Sequence, residues 1–126
     1  MEQSNPIRVM LVEDHVILRE GLRSILKAYS NIDIVGEAGD GAEAVSKVAA
    51  LKPSVVLMDI TLPRMDGVAA TRIIKESHPE IAVVGLTHMT DGHDVHALLR
   101  AGASEVLSKN KAAEDVYGAI QRAGSA

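Results

Sequence analysis

Hydrophobic residues in this chain form short continuous runs that alternate with longer, regularly spaced stripes. The runs at 7–13, 32–37, 54–59, 81–86 and 105–108 have the length and the β-branched content of buried parallel strands. The first stripe has the spacing of one helix face and comprises Leu18, Leu22, Ile25, Leu26 and Tyr29. A comparable stripe follows each later run, so the pattern predicts five β–α units.

Five β–α units predict an α/β fold in which helices cover both faces of a parallel sheet. We expect residues 1–126 to form a single domain, because that length suits one ordinary domain and leaves no room for a second. Five units are too few for an eightfold barrel. In open sheets of this class ligands bind at the carboxyl ends of the strands, so the residues at those ends are the candidate site.

Charged and hydroxyl side chains end four of the five predicted strands. The first ends in Glu13 and Asp14, the third in Asp59, the fourth in Thr87 and the fifth in Lys109. Clustered carboxylates disfavour one another's ionisation unless a cation compensates, and Lys109 or a divalent metal such as Mg²⁺ would do so. Neither GxxxxGK[ST] nor GxGxxG occurs, which favours a site for one small phosphoryl group over a nucleotide site.

Composition removes several other function classes. The chain has no cysteine, which excludes disulfides, thiol catalysis and cysteine-ligated metals. Its formal net charge of −4 and its two aromatic residues, both tyrosine, argue against a nucleic-acid-binding surface in this domain. No apolar run approaches membrane-spanning length, and the first residues lack a signal-peptide pattern. A cytoplasmic protein that binds no membrane is expected.

The order of these motifs resembles the receiver domain of two-component response regulators along the whole chain. The matching residues are the acidic pair Glu13-Asp14, the block DITLPRMDG at 59–67, Leu86-Thr87, and Lys109 after Gly102-Ala103. The run at 21–45 is most like receivers attached to helix-turn-helix output domains of the LuxR type. The resemblance implies a flavodoxin-like (βα)5 sandwich with a five-stranded parallel sheet of order 2-1-3-4-5.

The resemblance also implies a metal site. Asp14 and Asp59 would bind Mg²⁺ or Mn²⁺ directly, and the backbone carbonyl of Thr61 would be the third protein ligand. Glu13 would act mainly through a metal-bound water. No further cofactor is implied.

The phosphoryl group would be carried by Asp59, which the resemblance makes the acceptor of phosphate from a sensor histidine kinase or a histidine phosphotransfer protein. Thr87 would donate a hydrogen bond to a phosphoryl oxygen, and Lys109 would pair with Asp59 or with another phosphoryl oxygen. Such a domain is not an enzyme, since it catalyses only its own phosphorylation and dephosphorylation. The resemblance allows a homodimer formed on phosphorylation.

Other functions stay open. The output is expected to be control of transcription, but a hybrid-kinase receiver, a stand-alone receiver and a phosphate-independent interaction module remain alternatives. A haloacid-dehalogenase-like phosphatase would need a second aspartate two residues after Asp59, where Thr61 stands, and a Toprim-type nuclease would need a DxD motif. This chain therefore lacks a carboxylate that is essential to each of these enzyme classes.

Three positions depart from the receiver pattern. Val106 stands where the family usually has the Tyr or Phe that swings inward on phosphorylation, so that ring-based switch cannot operate in its usual form. Asn110 replaces the frequent proline after the lysine, which predicts a trans peptide bond there. His88 replaces a small residue after Thr87 and either narrows access to the site or faces solvent.

Overall fold

The computed structural model describes residues 6–87, 92–111 and 113–125. His88 and the departure that it represents therefore lie outside the described residues. Strands and helices alternate along the chain. They are β1 (Ile7–Val12), α1 (Val16–Lys27), β2 (Ile32–Ala38), α2 (Gly41–Leu51), β3 (Val55–Asp59), α3 (Gly67–Ser77), β4 (Ala82–Thr87), α4 (Gly92–Ala101), β5 (Glu105–Ser108) and α5 (Ala113–Ser125).

The five strands form one parallel sheet in the order β2-β1-β3-β4-β5, as expected. Helices α1 and α5 cover one face, and α2, α3 and α4 cover the other. The strand order reverses between β1 and β3, and ligands bind beside such a switch point in doubly wound sheets. The carboxyl ends of β1 and β3 therefore face the same cleft.

Alternate residues of the central strands enter two separate aliphatic cores. Val9 and Leu11 of β1 pack with α1 and α5, whereas Met10 and Val12 pack with α2 and α3. All four are at most 1% exposed, which explains why this strand is a continuous apolar run rather than an alternating one. The two tyrosines, Tyr29 and Tyr117, stack on each other at a centroid distance of 3.7 Å beside the core under α1 and α5.

Predicted strand boundaries differ from the observed ones by one residue at four strands. β1 ends at Val12 rather than Glu13, β2 extends to Ala38, and β3 begins at Val55 rather than Ser54. β4 runs one residue later than predicted and includes Thr87, since this residue pairs with Ser108 in the ladder with β5. Strand ends depend on single hydrogen bonds that hydrophobic periodicity cannot resolve.

The helices that border the cleft begin and end at specific residues. Asp40 caps α2 by accepting a hydrogen bond from the N–H of Glu43 (2.7 Å), and Asp66 caps α3 through the N–H of Ala69 (2.9 Å). Helix α4 ends before Gly102, whose φ of +120° suits glycine. The caps fix the loops after β2 and β3.

The described part of the chain contains no helix that is both long enough and apolar enough to span a membrane.

Candidate functional site

Three carboxylates meet at the carboxyl ends of β1 and β3. One oxygen from each of Glu13, Asp14 and Asp59 lies within 4.8 Å of the others. Glu13 and Asp59 are buried, at 2% and 1% exposure, while Asp14 is exposed. They line a cleft of about 350 Å³ together with His15, Thr61 and Lys109. The cleft leaves Asp14 open to solvent and places Asp59 at its floor.

Lys109 balances the two buried carboxylates. Its Nζ atom lies 2.9 Å from Oε1 of Glu13 and 3.0 Å from Oδ2 of Asp59, and its side chain is 6% exposed. The residue directly follows β5, and its backbone N–H donates to the carbonyl of Thr87 (2.8 Å). No described peptide bond is cis, so the bond between Lys109 and Asn110 is trans as predicted. The ammonium group therefore reaches across β4 to the end of β3.

The two predicted threonines lie at the same edge of the sheet, and Thr61 lines the cleft. Thr87 ends β4, one residue beyond Leu86, which pairs with Asp59. It is 2% exposed. Thr61 begins the loop after β3, and its backbone N–H donates to Oδ1 of Asp59 at 3.3 Å. All six residues singled out by the sequence thus lie at one edge of the sheet.

The loop after β3 packs tightly against neighbouring backbone. A Cβ atom on Gly67 would overlap the carbonyl of Asp59, and one on Gly41 would overlap the carbonyl of Met65. Two N–H groups of the Arg64 guanidinium also donate to Oδ2 of Asp40, at 3.0 and 2.6 Å. These contacts hold the loop after Asp59 against the start of α2 and α3.

Burial dominates the electrostatics of this cluster. Removal from water raises the pKa of Glu13 and the charge of Asp59 raises it further, while contact with the Lys109 ammonium opposes both. Burial alone would lower the pKa of Lys109, but its contacts with the two carboxylates outweigh it and raise the pKa. Burial and the neighbouring Asp59 therefore make Glu13 harder to ionise even though Lys109 lies beside it.

The donor set fits a divalent cation. Oε1 of Glu13 is buried, and its described contact with Lys109 is an ion pair that lacks hydrogen-bond geometry. Three carboxylate oxygens converge without histidine or cysteine, and hard cations such as Mg²⁺ favour an oxygen set of this kind. A cation would offset the charge that raises the pKa of Glu13.

Replacing Glu13 with glutamine should make the metal-free protein more stable at neutral pH. Because the pKa of Glu13 is raised in the folded state, the wild-type protein loses stability as pH rises from 4.5 through that pKa. Glutamine has no proton to lose, so its free energy of unfolding should exceed that of the wild type at pH 7.5 and match it near pH 4. Urea unfolding in EDTA at both pH values measures this difference, and Mg²⁺ affinity should fall about tenfold.

Glu43 is a matched control, because its substitution by glutamine should change stability in the opposite direction. The pKa of Glu43 is lowered, first by the hydrogen bond from the backbone N–H of Gly39 and then by Lys47. Its stabilising contribution is present above 4.5 and is lost as pH falls through the folded-state pKa. Glu43→Gln should therefore destabilise the protein at pH 7.5. Equal effects of the two substitutions would contradict the assigned cause.

One residue at the edge of the site was not predicted from the sequence. The guanidinium of Arg19, on α1, donates a hydrogen bond to the backbone carbonyl of Glu13 at 2.8 Å. Its polar neighbours on the helix, Glu20 and Arg23, make it look like one more residue of a solvated helix surface. Only its position in the first turn of α1, the helix that follows β1, could have distinguished it.

Comparison with known proteins identifies the family to which this chain is related. The model of the response regulator receiver domain matches residues 9–121. The response regulator protein VraR of Staphylococcus saprophyticus is 39% identical over 117 residues, which cover 93% of this chain and 56% of that protein. The chain thus spans little more than half the length of the curated relatives that it matches.

Solved structures agree with this assignment. The receiver domain of the response regulator NarL from Mycobacterium tuberculosis superposes with a TM-score of 0.92 at 27% identity, covering 97% of this chain and 98% of that one. A LuxR-family two-component response regulator from Aurantimonas gives a TM-score of 0.91 at 30% identity, covering 96% and 86%. With the family model, the fold and the acidic cleft in agreement, this chain belongs to the response regulator receiver domain family.

Proposed function

We propose that Asp59 accepts a phosphoryl group and thereby switches the state of this receiver domain. The observation that carries the proposal is the position of Asp59. It is 1% exposed at the floor of the acidic cleft, one oxygen pairs with Lys109, and Glu13 and Asp14 lie beside it. A carboxylate held among cationic and metal-binding groups is suited to attack phosphorus.

In the proposed reaction a lone pair of the Asp59 carboxylate attacks the phosphorus of a phosphohistidine. An O–P bond forms, the N–P bond breaks, and its electrons leave with the imidazole nitrogen, which takes up a proton. Lys109 stabilises the charge that develops on the phosphoryl oxygens, and the Thr87 hydroxyl donates a hydrogen bond to one of them. The product is an acyl phosphate on Asp59.

Mg²⁺ is the proposed cofactor, with Mn²⁺ as a substitute. Asp14 and Asp59 would bind it directly together with the carbonyl of Thr61, and Glu13 would act through a bound water. When bound, the cation neutralises charge on the carboxylates and on the phosphoryl group. The convergence of three carboxylate oxygens within 4.8 Å supports this assignment, and so does the pKa of Glu13, which burial and then the charge of Asp59 raise despite the contact with Lys109.

The partner that supplies phosphate is proposed to be a histidine kinase or a histidine phosphotransfer protein. We also propose that residues 1–126 act as one domain, the receiver part of a longer cytoplasmic regulator of transcription that dimerises on phosphorylation. The length of VraR and the LuxR-family assignment of the Aurantimonas protein support this output. The receiver would then contribute switching, and DNA binding would belong to another domain.

The test is covalent labelling of the purified chain. Incubation with labelled acetyl phosphate and Mg²⁺ should add one phosphoryl group that hydroxylamine removes, as expected for an acyl phosphate. EDTA should abolish the labelling. Labelling that is unaffected by EDTA would contradict the proposed metal dependence. No labelling in Mg²⁺ would contradict the proposed function and would favour a phosphate-independent module.

Switching is proposed to reach α4 and β5 only weakly. Val106 pairs with Gly85 across β4 and β5 and packs against the core cluster that contains Leu98. A small, packed side chain at this place has no ring to move between inner and outer positions. Beryllofluoride should therefore shift the amide resonances of the cleft far more than those of this face. Large shifts along α4 and β5 would refute weak coupling.

A further inference from the structure

We propose that Arg19 is a positioning residue that fixes the acidic end of β1 for metal binding; this inference rests on the proposed function. Arg19 lies on α1, six residues after Glu13, and its side chain is 21% exposed. Its Nη1 atom donates to the carbonyl of Glu13 at 2.8 Å and to the carbonyl of Ala38 at 3.4 Å. One guanidinium thus bridges the ends of β1 and β2.

The two carbonyls lie where the sheet ladder stops. Glu13 follows β1 and is 2% exposed, and Ala38 ends β2 and is 1% exposed. The backbone N–H of Glu13 still donates to the carbonyl of Ala38 at 3.0 Å. A buried carbonyl that leaves the ladder needs another donor, because an unpaired one is costly. Arg19 supplies that donor for Glu13.

A carboxylate holds the guanidinium in this position from the other side. Nε of Arg19 lies 3.0 Å from Oε1 of Glu37, and Nη1 of Arg23 lies 2.8 Å from Oε2 of the same residue. Nε of Arg19 has no hydrogen-bond partner, so Glu37 holds the guanidinium through charge, while Nη1 makes the hydrogen bonds to the two carbonyls. An ammonium group has no planar fork that could keep the Glu37 contact and the carbonyl contacts on separate nitrogens.

The backbone turn that Arg19 holds directs the metal-binding carboxylates. Oε2 of Glu13 accepts a hydrogen bond from the N–H of His15 at 3.1 Å, so the side chain follows the turn at 13–15. Asp14 lies within that turn, and its oxygen meets those of Glu13 and Asp59 within 4.8 Å. A shift of the Glu13 carbonyl would therefore move two of the three carboxylates away from Asp59.

Mn²⁺ affinity of the unphosphorylated protein, measured by electron paramagnetic resonance, tests the inference without requiring phosphorylation. Arg19→Gln should weaken Mn²⁺ binding about tenfold, the lower end of the loss on removing a group that orients metal ligands. Arg19→Lys keeps the charge but has a single donor nitrogen in place of the guanidinium fork, so its affinity should lie between those of Arg19→Gln and the wild type. The matched control is Arg23→Gln, which removes a guanidinium from Glu37 without touching the Glu13 carbonyl and should change affinity less than twofold.

The outcomes separate the possible roles. Arg19→Gln that unfolds at lower urea yet binds Mn²⁺ as the wild type does would show that Arg19 only stabilises the fold, and would overturn the inference. If Arg19→Gln does not fold, Glu37→Gln releases the same guanidinium and should weaken Mn²⁺ binding several-fold. Wild-type Mn²⁺ affinity of Glu37→Gln would then overturn the inference. Absence of Mn²⁺ binding by the wild type would instead contradict the proposed metal site.

Discussion

Replacing Asp59 with asparagine should reduce labelling by acetyl phosphate to background while leaving the domain folded. The amide keeps the shape of the side chain and can still accept the N–H of Thr61, but it has no carboxylate to attack phosphorus. Lys109 retains its contact with Glu13 at 2.9 Å, so its charge stays paired. Folding is checked by urea unfolding, and phosphate incorporation by intact-mass spectrometry.

Asp66→Asn is the matched control for this substitution. Asp66 lies in the same loop and caps α3 through the N–H of Ala69, a hydrogen bond that asparagine also accepts. Because Asp66 is not among the carboxylates that line the cleft, its variant should be labelled at the wild-type rate. Undiminished labelling of Asp59→Asn would overturn the assignment of the phosphoryl acceptor.

The sheet and the position of the cleft could be predicted from the sequence, because the signals for both are periodic. A continuous apolar strand such as β1 must be covered on both faces, and parallel strands place Asp59 and Lys109 at the same edge. Strand ends were less predictable. Glu13 still donates its N–H to Ala38 but lies outside β1, a distinction that rests on one hydrogen bond.

The residues that hold the site in place could not be predicted in the same way, because their side chains contact segments that are distant in sequence. Arg64 reaches Asp40 across 24 positions, and Arg19 bridges the ends of two strands. Arginine is also a common residue of exposed helices and loops, so neither position has a distinctive pattern. Their partners become evident only when the direction of each side chain is known. Chemistry-bearing residues were thus predictable, and those that orient them were not.

Replacing Lys109 with methionine should strongly destabilise the metal-free protein at neutral pH. The substitution keeps a long apolar stem, which lines a cavity of about 160 Å³ between α1 and α5, but it removes the ammonium from two buried carboxylates. Loss of one partner from a buried ion pair leaves uncompensated charge, and roughly 3 kcal/mol of unfolding free energy should be lost. Urea unfolding at pH 7.5 in EDTA measures the loss.

The way in which the destabilisation by Lys109→Met depends on pH and on Mg²⁺ shows whether lost charge causes it. The pKa of Lys109 is raised, so deprotonation of Lys109 removes its stabilising contribution only as pH rises above 10.5 through the folded-state pKa, far from pH 7.5. Near pH 4 Glu13 is protonated in the folded state, because its pKa is raised, and the difference between variant and wild type should shrink. Mg²⁺ should restore part of the stability at pH 7.5, because it supplies the missing positive charge.

Lys111→Met provides the control for lost charge and altered packing. Lys111 borders the same apolar cavity but is exposed, so its substitution should change the unfolding free energy by less than about 0.5 kcal/mol. With the three carboxylates of the cleft unchanged, Lys109→Met should also slow labelling by acetyl phosphate about a hundredfold, which is the usual cost of removing one group that stabilises developing charge. Equal destabilisation at pH 4 and pH 7.5 would show that packing, rather than the charge of Lys109, holds the site together.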